Sequence, residues 1–197
     1  MWYELTTLAC PPLELNSISA DARAWISDPS AQGQLVGAWR TEIGALFQLM
    51  FLRRFEKQQQ LDQERQRANM SERPFNVNNA AVRISMDSYL PFPFLPAAVS
   101  TPAKFYEFRT YFLKPGGLAP TLAAWQQALA PAHDYTAHLL INMYSLDGPP
   151  RITHIWQFAS LEERFALRTQ HYAQGLWPPK GGPQQIDHAT STIGLAE

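Results

Sequence analysis

The stretch FYEFRT at residues 105–110 decides the fold, because it repeats WYELTT at residues 2–7. A second stretch, HIWQF at residues 154–158, aligns with FLRRF at residues 51–55. The two pairs are separated by the same offset of 103 residues. Self-similarity at one offset indicates repeated structural units, and a period this long indicates a duplicated domain rather than a solenoid. We therefore predict two similar halves within one chain.

The composition is that of a globular protein. The 197 residues include 46% hydrophobic and 12% aromatic side chains, enough for a packed core. Sixteen Lys and Arg against seventeen Asp and Glu give a net charge of −1, which argues against a nucleic-acid partner. Cys10 is the only cysteine, so an intramolecular disulfide is excluded and a reducing compartment is favoured. Because no apolar run reaches the ~18 residues of a membrane span, we expect a cytoplasmic protein.

Each half carries the pattern of a β-α-β-β-α-β unit, which is the ferredoxin-like order. Strands are predicted at residues 2–9, 34–42, 45–55 and 83–90, and again at 105–113, 137–144, 151–158 and 185–193. Ser17 or Ser19 is the expected cap of the first helix, and Ser160 with Glu163 predicts a capping box on the last. Residues 56–68 predict a helix that is polar all round, either a solvated face or a partner-binding surface.

The predicted fold class is α+β, with tandem ferredoxin-like repeats. We place the first repeat at residues 1–90, a proline-rich linker at 91–103 and the second repeat at 104–197. Helices cover only one face of such a sheet, so the other face must pack against another surface. Two copies that meet face to face would form a dimeric α+β barrel-type sheet pair.

Three motifs resemble the NIPSNAP family. The sequence YEFRTY at 106–111, followed by Lys-Pro-Gly at 114–116, is similar to the first-strand signature. The sequence GAWRTEIG at 37–44 is similar to a family hairpin, and HIWQF at 154–158, with Leu161 and Arg164 after it, is similar to a third landmark. The halves divide these motifs between them, so we expect one half to contribute most of any site.

The resemblance implies a dimeric α+β barrel fold. Exposed strand edges and the habit of the family favour a homodimer, and the alternative is a monomer, because each chain already contains both halves of a possible barrel. Bacterial members mostly lack an assigned activity. The broader barrel superfamily includes cofactor-free monooxygenases, small-molecule isomerases and haem enzymes, but a shared fold does not fix function.

The first strand of the second half carries a polar row. Glu107, Arg109 and Tyr111 share one face, and the aromatic residues that alternate with them share the other. We assign the aromatic face to the helices and the polar row to the barrel interior. There Arg109 can donate two parallel hydrogen bonds to a ligand carboxylate, with Tyr111 as a second donor. The alternative is that Glu107 and Arg109 pair with each other or with neighbouring strands.

His154 and Trp156 share a face of a later strand, and Asn142 and Tyr144 can join them from the paired strand. A histidine in such a cavity can act as a general base near neutral pH, with Trp156 as a stacking wall for a ligand. The alternative is a hydrogen-bonded lining residue.

No residue spacing indicates a metal site, a nucleotide loop or a serine-hydrolase elbow, so we predict no metal and no cofactor. Three functions stay open. The first is a small-molecule binder whose cavity takes a hydrophobic or carboxylate-bearing ligand. The second is a cofactor-independent monooxygenase or isomerase with His154 as base and Arg109 as anion anchor. The third is a protein-interaction module that uses helix 56–68.

Overall fold

The computed structural model describes residues 1–95 and 103–197, and the chain divides into two compact units. Unit 1 comprises residues 1–90 with the last two residues, 196–197, and unit 2 comprises residues 91–195. The predicted linker falls for the most part on residues 96–102, outside the described residues. The domain boundaries drawn at that linker therefore stay a prediction.

Unit 1 is a four-stranded antiparallel sheet with two helices. Its elements are β1 (Trp2–Ala9), α1 (Leu15–Ile26), β2 (Gln34–Ile43), β3 (Gln48–Phe55), α2 (Gln58–Met70), a 3₁₀ turn (Pro74–Asn76) and β4 (Arg83–Pro91). Strand β1 pairs with β3 and β4, and β2 pairs with β3, which gives the order β4-β1-β3-β2.

Unit 2 repeats this arrangement. Its elements are β5 (Phe105–Leu113), α3 (Leu118–Ala128), α4 (His133–Thr136), β6 (Leu139–Ser145), β7 (Arg151–Phe158), α5 (Leu161–Ala173), a 3₁₀ turn (Pro183–Gln185) and β8 (Ile186–Ala196). Strand β5 pairs with β7 and β8, and β6 pairs with β7, which gives the order β8-β5-β7-β6. The predicted α+β class and the ferredoxin-like order are confirmed. The barrel-type sheet pair concerns the placement of the two units and stays a prediction.

Apolar burial on the helix side holds each unit together. In unit 1, α1 buries Ile18, Ala22 and Trp25 against Leu49 and other strand residues, as the spacing of its apolar residues predicts. In unit 2, α3 and α4 bury two aromatic residues, Trp125 and Tyr135, in a cluster that also contains Trp156 and Trp177. Among residues 1–95 and 103–197, none of the helices combines the length and the apolar character needed to cross a bilayer.

Two local predictions are wrong. Helix α1 begins at Leu15, so Ser17 lies within its first turn, and the cap residue is Glu14 without a side-chain hydrogen bond. Residues 45–47 form a turn instead of extending β3, and Phe47 there adopts a left-handed φ of 59°. The predicted Ser160 cap is confirmed, because its hydroxyl accepts a hydrogen bond from the Glu163 backbone N–H at 3.1 Å.

The assignment of the two faces of β5 is also wrong. Glu107, whose carboxylate binds Arg164 of α5, lies on the face that the helices cover, and Arg109 and Tyr111 share that face. The aromatic residues Tyr106 and Phe108 lie on the opposite face. Both faces are buried, Glu107 at 0% exposure and Phe108 at 4%, so the alternation of side chains cannot reveal which face carries the helices.

Candidate functional site

A row of three buried polar residues crosses the helix-covered face of the unit 2 sheet. Arg109 on β5 is the register partner of His154 on β7, and Asn142 on β6 is the partner of His154 on its other side. All three are buried, and each has at least one side-chain polar atom with no hydrogen-bond partner within the described parts of the chain. Buried polar groups are nearly always paired, so this row is a candidate site.

Glu107 supplies the negative charge beside this row, and it is saturated by partners. Arg164 of α5 donates two hydrogen bonds to its carboxylate, at 2.8 and 2.5 Å, and the Ser191 hydroxyl on β8 donates a third at 2.7 Å. Burial opposes ionisation of the carboxyl group, but these hydrogen bonds and the charge of Arg109 outweigh it. The pKa of Glu107 therefore lies below its usual range, and the group is ionised at neutral pH.

Arg109 is held near Glu107 without a hydrogen bond. Its Nε lies 3.6 Å from Glu107 Oε1, and both Nε and Nη1 lack a partner in the described residues. Its guanidinium carbon is 5.4 Å from the centre of the Tyr111 ring. Because Arg164 already engages the carboxylate of Glu107, the charge of Arg109 leaves an excess of positive charge beside Glu107.

Trp156 fixes the protonation of His154. The indole N–H of Trp156 donates to His154 Nδ1 at 2.6 Å, so Nδ1 must carry a lone pair. Burial, and then the charge of Arg109, hold the pKa of His154 well below its usual range, so the ring is neutral. A neutral imidazole with a lone pair on Nδ1 carries its proton on Nε2, and neither nitrogen is then free to accept a proton.

An aromatic pocket of about 280 Å³ adjoins the polar row. Its walls are Tyr111, Thr121, Trp125, Tyr172, Trp177, Ile186 and the proline-rich segment 178–183. The rings of Tyr111 and Trp125 lie 4.8 and 5.0 Å from the ring of His154, so the imidazole sits directly behind two residues of the wall. The cavity lies just below the usual volume range of small-molecule sites.

The structure places the predicted site residues on one face of unit 2. Glu107, Arg109, Tyr111, Asn142, Tyr144, His154 and Trp156 share the helix-covered face, with the register pairs Glu107–Trp156, Arg109–His154 and Tyr144–Ile152. Of these, only Tyr111 lines the aromatic pocket. Their roles in binding or catalysis stay predictions.

The residues that the helices and β8 add to this face were not predicted from the sequence as site residues. Arg164 belongs to the Leu-x-x-Arg motif after HIWQF, and that motif was a usable signal for it. Trp125 was visible as part of the amphipathic stripe of α3. Nothing in the sequence pointed to Ser191, because its contact with Glu107 depends on the pairing of β5 with β8.

Unit 1 carries the same strand glutamate in a closed network. Arg53 donates to Glu4 and to Glu64 at 2.6 Å each, and all three side chains are almost fully buried. Arg67 also pairs with Glu64, at 2.9 Å. In the repeat, Arg53 replaces Trp156, and the position of His154 is taken by Phe51. Glu4 and Glu64 thus each have an arginine partner within unit 1.

Within residues 1–95 and 103–197, no group of three or more His, Cys, Asp or Glu side chains is arranged to hold a metal ion. The unpaired atoms of Arg109 and His154 Nε2 are hydrogen-bond donors and do not fit a cation.

Some solved structures that resemble this fold carry the names of enzymes. A "putative monooxygenase" from Lactobacillus acidophilus has a TM-score of 0.69 at 12% identity, covering 99% of this chain and 93% of that one. An anthrone oxidase-like protein has a TM-score of 0.65 at 11% identity, covering 100% of this chain and 91% of that one. At these identities the likeness establishes the fold alone.

The sequence itself gives the family. The sequence model of the NIPSNAP family matches residues 106–194. Atu4242 of Agrobacterium tumefaciens, a NIPSNAP family protein with unknown function, is 31% identical over 45% of this chain and 89% of that one, with a TM-score of 0.41. A comparison with curated proteins found no match. The chain belongs to the NIPSNAP family, as the motifs predicted.

Proposed function

We propose that unit 2 binds a small, largely aromatic molecule that carries a carboxylate, in the pocket beside Arg109. The observation that carries this proposal is the state of Arg109. It is a buried cation next to an aromatic cavity, and two of its nitrogen atoms lack a hydrogen-bond partner in the described residues. The neighbouring carboxylate, Glu107, is already bound by Arg164. A guanidinium matches a carboxylate in geometry and in charge, and aromatic walls suit a flat apolar body.

The shape of the pocket supports the same ligand class. Trp125 and Trp177 meet edge to face at 4.8 Å, and Tyr172 closes a further side of the cavity. Rigid rings of this kind give a large contact area at a low entropic cost. The volume of about 280 Å³ suits a molecule with one or two rings.

A cofactor-independent oxygenase or isomerase is the alternative to a binder. Such an enzyme needs a base that takes a proton from its substrate. His154 does not support that role, because its Nδ1 accepts from Trp156 and its Nε2 carries the proton. We therefore propose ligand binding rather than turnover.

The interaction-module alternative depends on helix α2. Glu64 and Arg67 of that helix are committed to the buried network with Arg53, which leaves the exposed residues of α2 as its available surface. The homodimer and the cytoplasmic location also stay proposals from the sequence, and light scattering of the purified protein tests the first of them.

The proposal is tested by ligand-induced thermal stabilisation. The protein is screened against aromatic carboxylates, fatty acids and quinones, and a ligand at a hundred times its Kd stabilises the folded state by ~2.7 kcal/mol. We expect aromatic carboxylates to raise the Tm and Arg109→Met to abolish the shift. Arg54→Met, an exposed arginine of unit 1, is the matched control that keeps it.

Two outcomes would contradict the proposal. One is a panel without any stabilising aromatic carboxylate, and the other is a shift of equal size in Arg109→Met. If Arg109→Met does not fold, Arg109→Lys keeps the charge but loses the two-pronged geometry and is expected to weaken binding.

A further inference from the structure

We propose that unit 2 has a second binding site, separate from the aromatic pocket, and that this site takes a free aliphatic carboxylate. The site is a cavity of about 370 Å³ between α3 and the segment that follows α5, and we name it the aliphatic cavity. Its volume lies within the usual range of small-molecule sites. The described residues that line it are Ala124, Gln127, Ala128, Pro131, Gly175, Leu176, Pro178 and Lys180.

The proposal goes beyond the proposed function, because the two cavities have different walls. They share Pro178, and the other described residues of the two linings differ. Binding in one cavity can therefore be measured apart from binding in the other.

Small side chains on α3 make the room for the aliphatic cavity. Ala124 and Ala128 are four residues apart, so they lie on one face of the helix, and both are buried. Trp125, which follows Ala124 in the chain, turns instead into the aromatic cluster of unit 2. A larger side chain at position 124 or 128 would fill the space that the two methyl groups leave.

The opposite wall is held in place by the end of α5. The backbone N–H groups of Leu176 and Trp177 both donate to His171 O, at 3.0 and 3.2 Å. The ring of Trp177 is buried in the aromatic cluster, and the prolines at positions 178 and 179 restrict the next two φ angles. The wall is thus formed before a ligand binds, which lowers the entropic cost of binding.

The walls favour an aliphatic ligand body. The apolar residues of the lining are alanine, leucine and proline, so a ligand ring would find no aromatic partner among the described residues of this cavity. Burial of CH₂ groups is the favourable contact that such walls offer. Each CH₂ group that is fully buried raises the affinity by about fourfold.

The charge of the lining favours an anionic head group. Lys180 is exposed, and its ammonium group has neither a hydrogen bond nor an ion pair within the described parts of the chain. The amide of Gln127 likewise has no partner there. Among the described lining residues there is no Asp or Glu. A ligand carboxylate supplies the acceptors that the ammonium and amide nitrogens can bind.

The ends of two helices lie at this cavity, and their negative poles oppose Lys180 only in part. A helix C-terminus carries about half a negative charge on its last carbonyl groups. The carbonyl of Ala128 in α3 already accepts from the Ala132 N–H, and that of Tyr172 in α5 accepts from the Gly175 N–H, each at 3.1 Å. Because Lys180 carries a full charge, the rim of the cavity still prefers an anion.

A series of straight-chain acids tests the proposal on the wild-type protein. Butanoate, hexanoate and octanoate are titrated by calorimetry, with octan-1-ol as the uncharged match for octanoate. We expect the affinity to rise about three- to fourfold per added CH₂ group. We also expect octanoate to bind about two- to fivefold more tightly than octanol, because an ion pair at an exposed rim is weak.

Methyl NMR locates the bound acid. Octanoate should shift the methyl resonances of Ala124, Ala128 and Leu176, which line the aliphatic cavity. It should leave the methyl resonances of Ile186, a wall residue of the aromatic pocket, unchanged.

Variants at the rim and the floor test the two features separately. Lys180→Gln keeps a donor but removes the charge, so octanoate and octanol should then bind equally, and Lys180→Arg should restore the preference. Lys57→Gln, at an exposed lysine of unit 1, is the matched control that keeps the preference. Ala128→Leu fills the cavity and should weaken both probes by at least about tenfold, through the loss of buried CH₂ groups. If Ala128→Leu does not fold, the Lys180 variants and the wild-type spectra decide the question.

Four results would overturn the proposal. They are a series in which no acid binds, octanol that binds as tightly as octanoate, a preference that survives Lys180→Gln, and shifts at Ile186 instead of Leu176. None of them bears on the proposed function, which is judged by aromatic carboxylates and by Arg109→Met.

Discussion

The ion pair between Glu107 and Arg164 gives the sharpest test of the unit 2 structure. Glu107 is fully buried, and Arg164→Leu removes two of its three hydrogen bonds. Removing one partner of a buried pair costs about 3–5 kcal/mol. Here Ser191 and, at 3.6 Å, Arg109 stay beside the carboxylate, so we expect the lower figure of about 2–3 kcal/mol. For a unit of about 100 residues this lowers the Tm by about 10–20 °C.

The pH dependence of this loss has a definite sign. In the wild-type protein the pKa of Glu107 is lowered, so its stabilisation is complete above the unfolded pKa, about 4.3, and is lost as the pH falls through the folded value. In Arg164→Leu, Glu107 is still buried but has lost the two hydrogen bonds from Arg164, so its pKa in the folded state rises above its pKa in the unfolded state. The variant is then more stable in acid than at neutral pH. The difference in free energy of unfolding between the variant and the wild type therefore becomes smaller below about pH 5.

Urea denaturation of four proteins checks this reasoning. They are the wild type, Arg164→Leu, Glu107→Gln and the double variant. A separate control, Arg168→Leu on the same helix, measures the effect of losing an arginine charge and of the change in helix propensity. Because Gln needs no counter-charge, the double variant should recover at least about 1 kcal/mol relative to Arg164→Leu. The reasoning is refuted if Arg164→Leu costs less than about 0.5 kcal/mol, or if Glu107→Gln gives no rescue.

Three further predictions concern other features of the two units. His154→Phe installs the residue found at the equivalent position of unit 1. Unfolded His154 binds a proton that the buried ring does not, so the wild type should lose ~1.4 kcal/mol of its free energy of unfolding per pH unit below about pH 6.5, and the variant should not. Urea titrations at pH 7 and 5.5 measure this dependence, and an unchanged slope in the variant counts against the prediction. Arg53→Met should lower the free energy of unfolding by about 3–5 kcal/mol, because it leaves two buried carboxylates without their arginine. Arg54→Met, at the neighbouring exposed residue, should lower it by about 0.5 kcal/mol or less, and equal melting points of the two variants would contradict the buried network. Phe47→Gly should stabilise unit 1 by about 0.5–1 kcal/mol, because Phe47 has a strained φ of 59° and its side chain is 42% exposed. A lower Tm in the variant would mean that the contacts of the phenyl ring outweigh the backbone strain.

The two units use one strand glutamate in two ways. In unit 1, Glu4 and Glu64 share Arg53, so the buried charges of the helix-covered face find partners inside the unit. In unit 2, Trp156 takes the position of Arg53 and His154 takes the position of Phe51. The strand arginine, Arg109, keeps donors that lack a partner in the described residues. The substitution of one arginine by a tryptophan thus accompanies the change from a closed ion network to an aromatic pocket.

Much of the fold could be predicted from the sequence. The repeat with its offset of 103 residues fixed the number of units, and side-chain periodicity placed all eight strands and the main helices. The motifs also identified the family. These features depend on local propensity and spacing, which a chain carries without reference to its tertiary contacts.

The site residues were recognisable, but their surroundings were not. Spacing alone put Glu107, Arg109 and Tyr111 on one face of β5, and it put His154 and Trp156 on one face of β7. Periodicity cannot say which face the helices cover when both faces are buried, and the assignment was therefore reversed.

Only the tertiary structure brought Arg164 to Glu107 and the indole N–H of Trp156 to His154 Nδ1. Those contacts decide which residue neutralises the carboxylate, and they decide that His154 is a donor rather than a base. The sequence determined the repeated architecture and the polar row because both follow from spacing along the chain. The protonation state of His154 and the Arg109 donors that lack a partner in the described residues depend on distances between elements, which the spacing of residues does not contain.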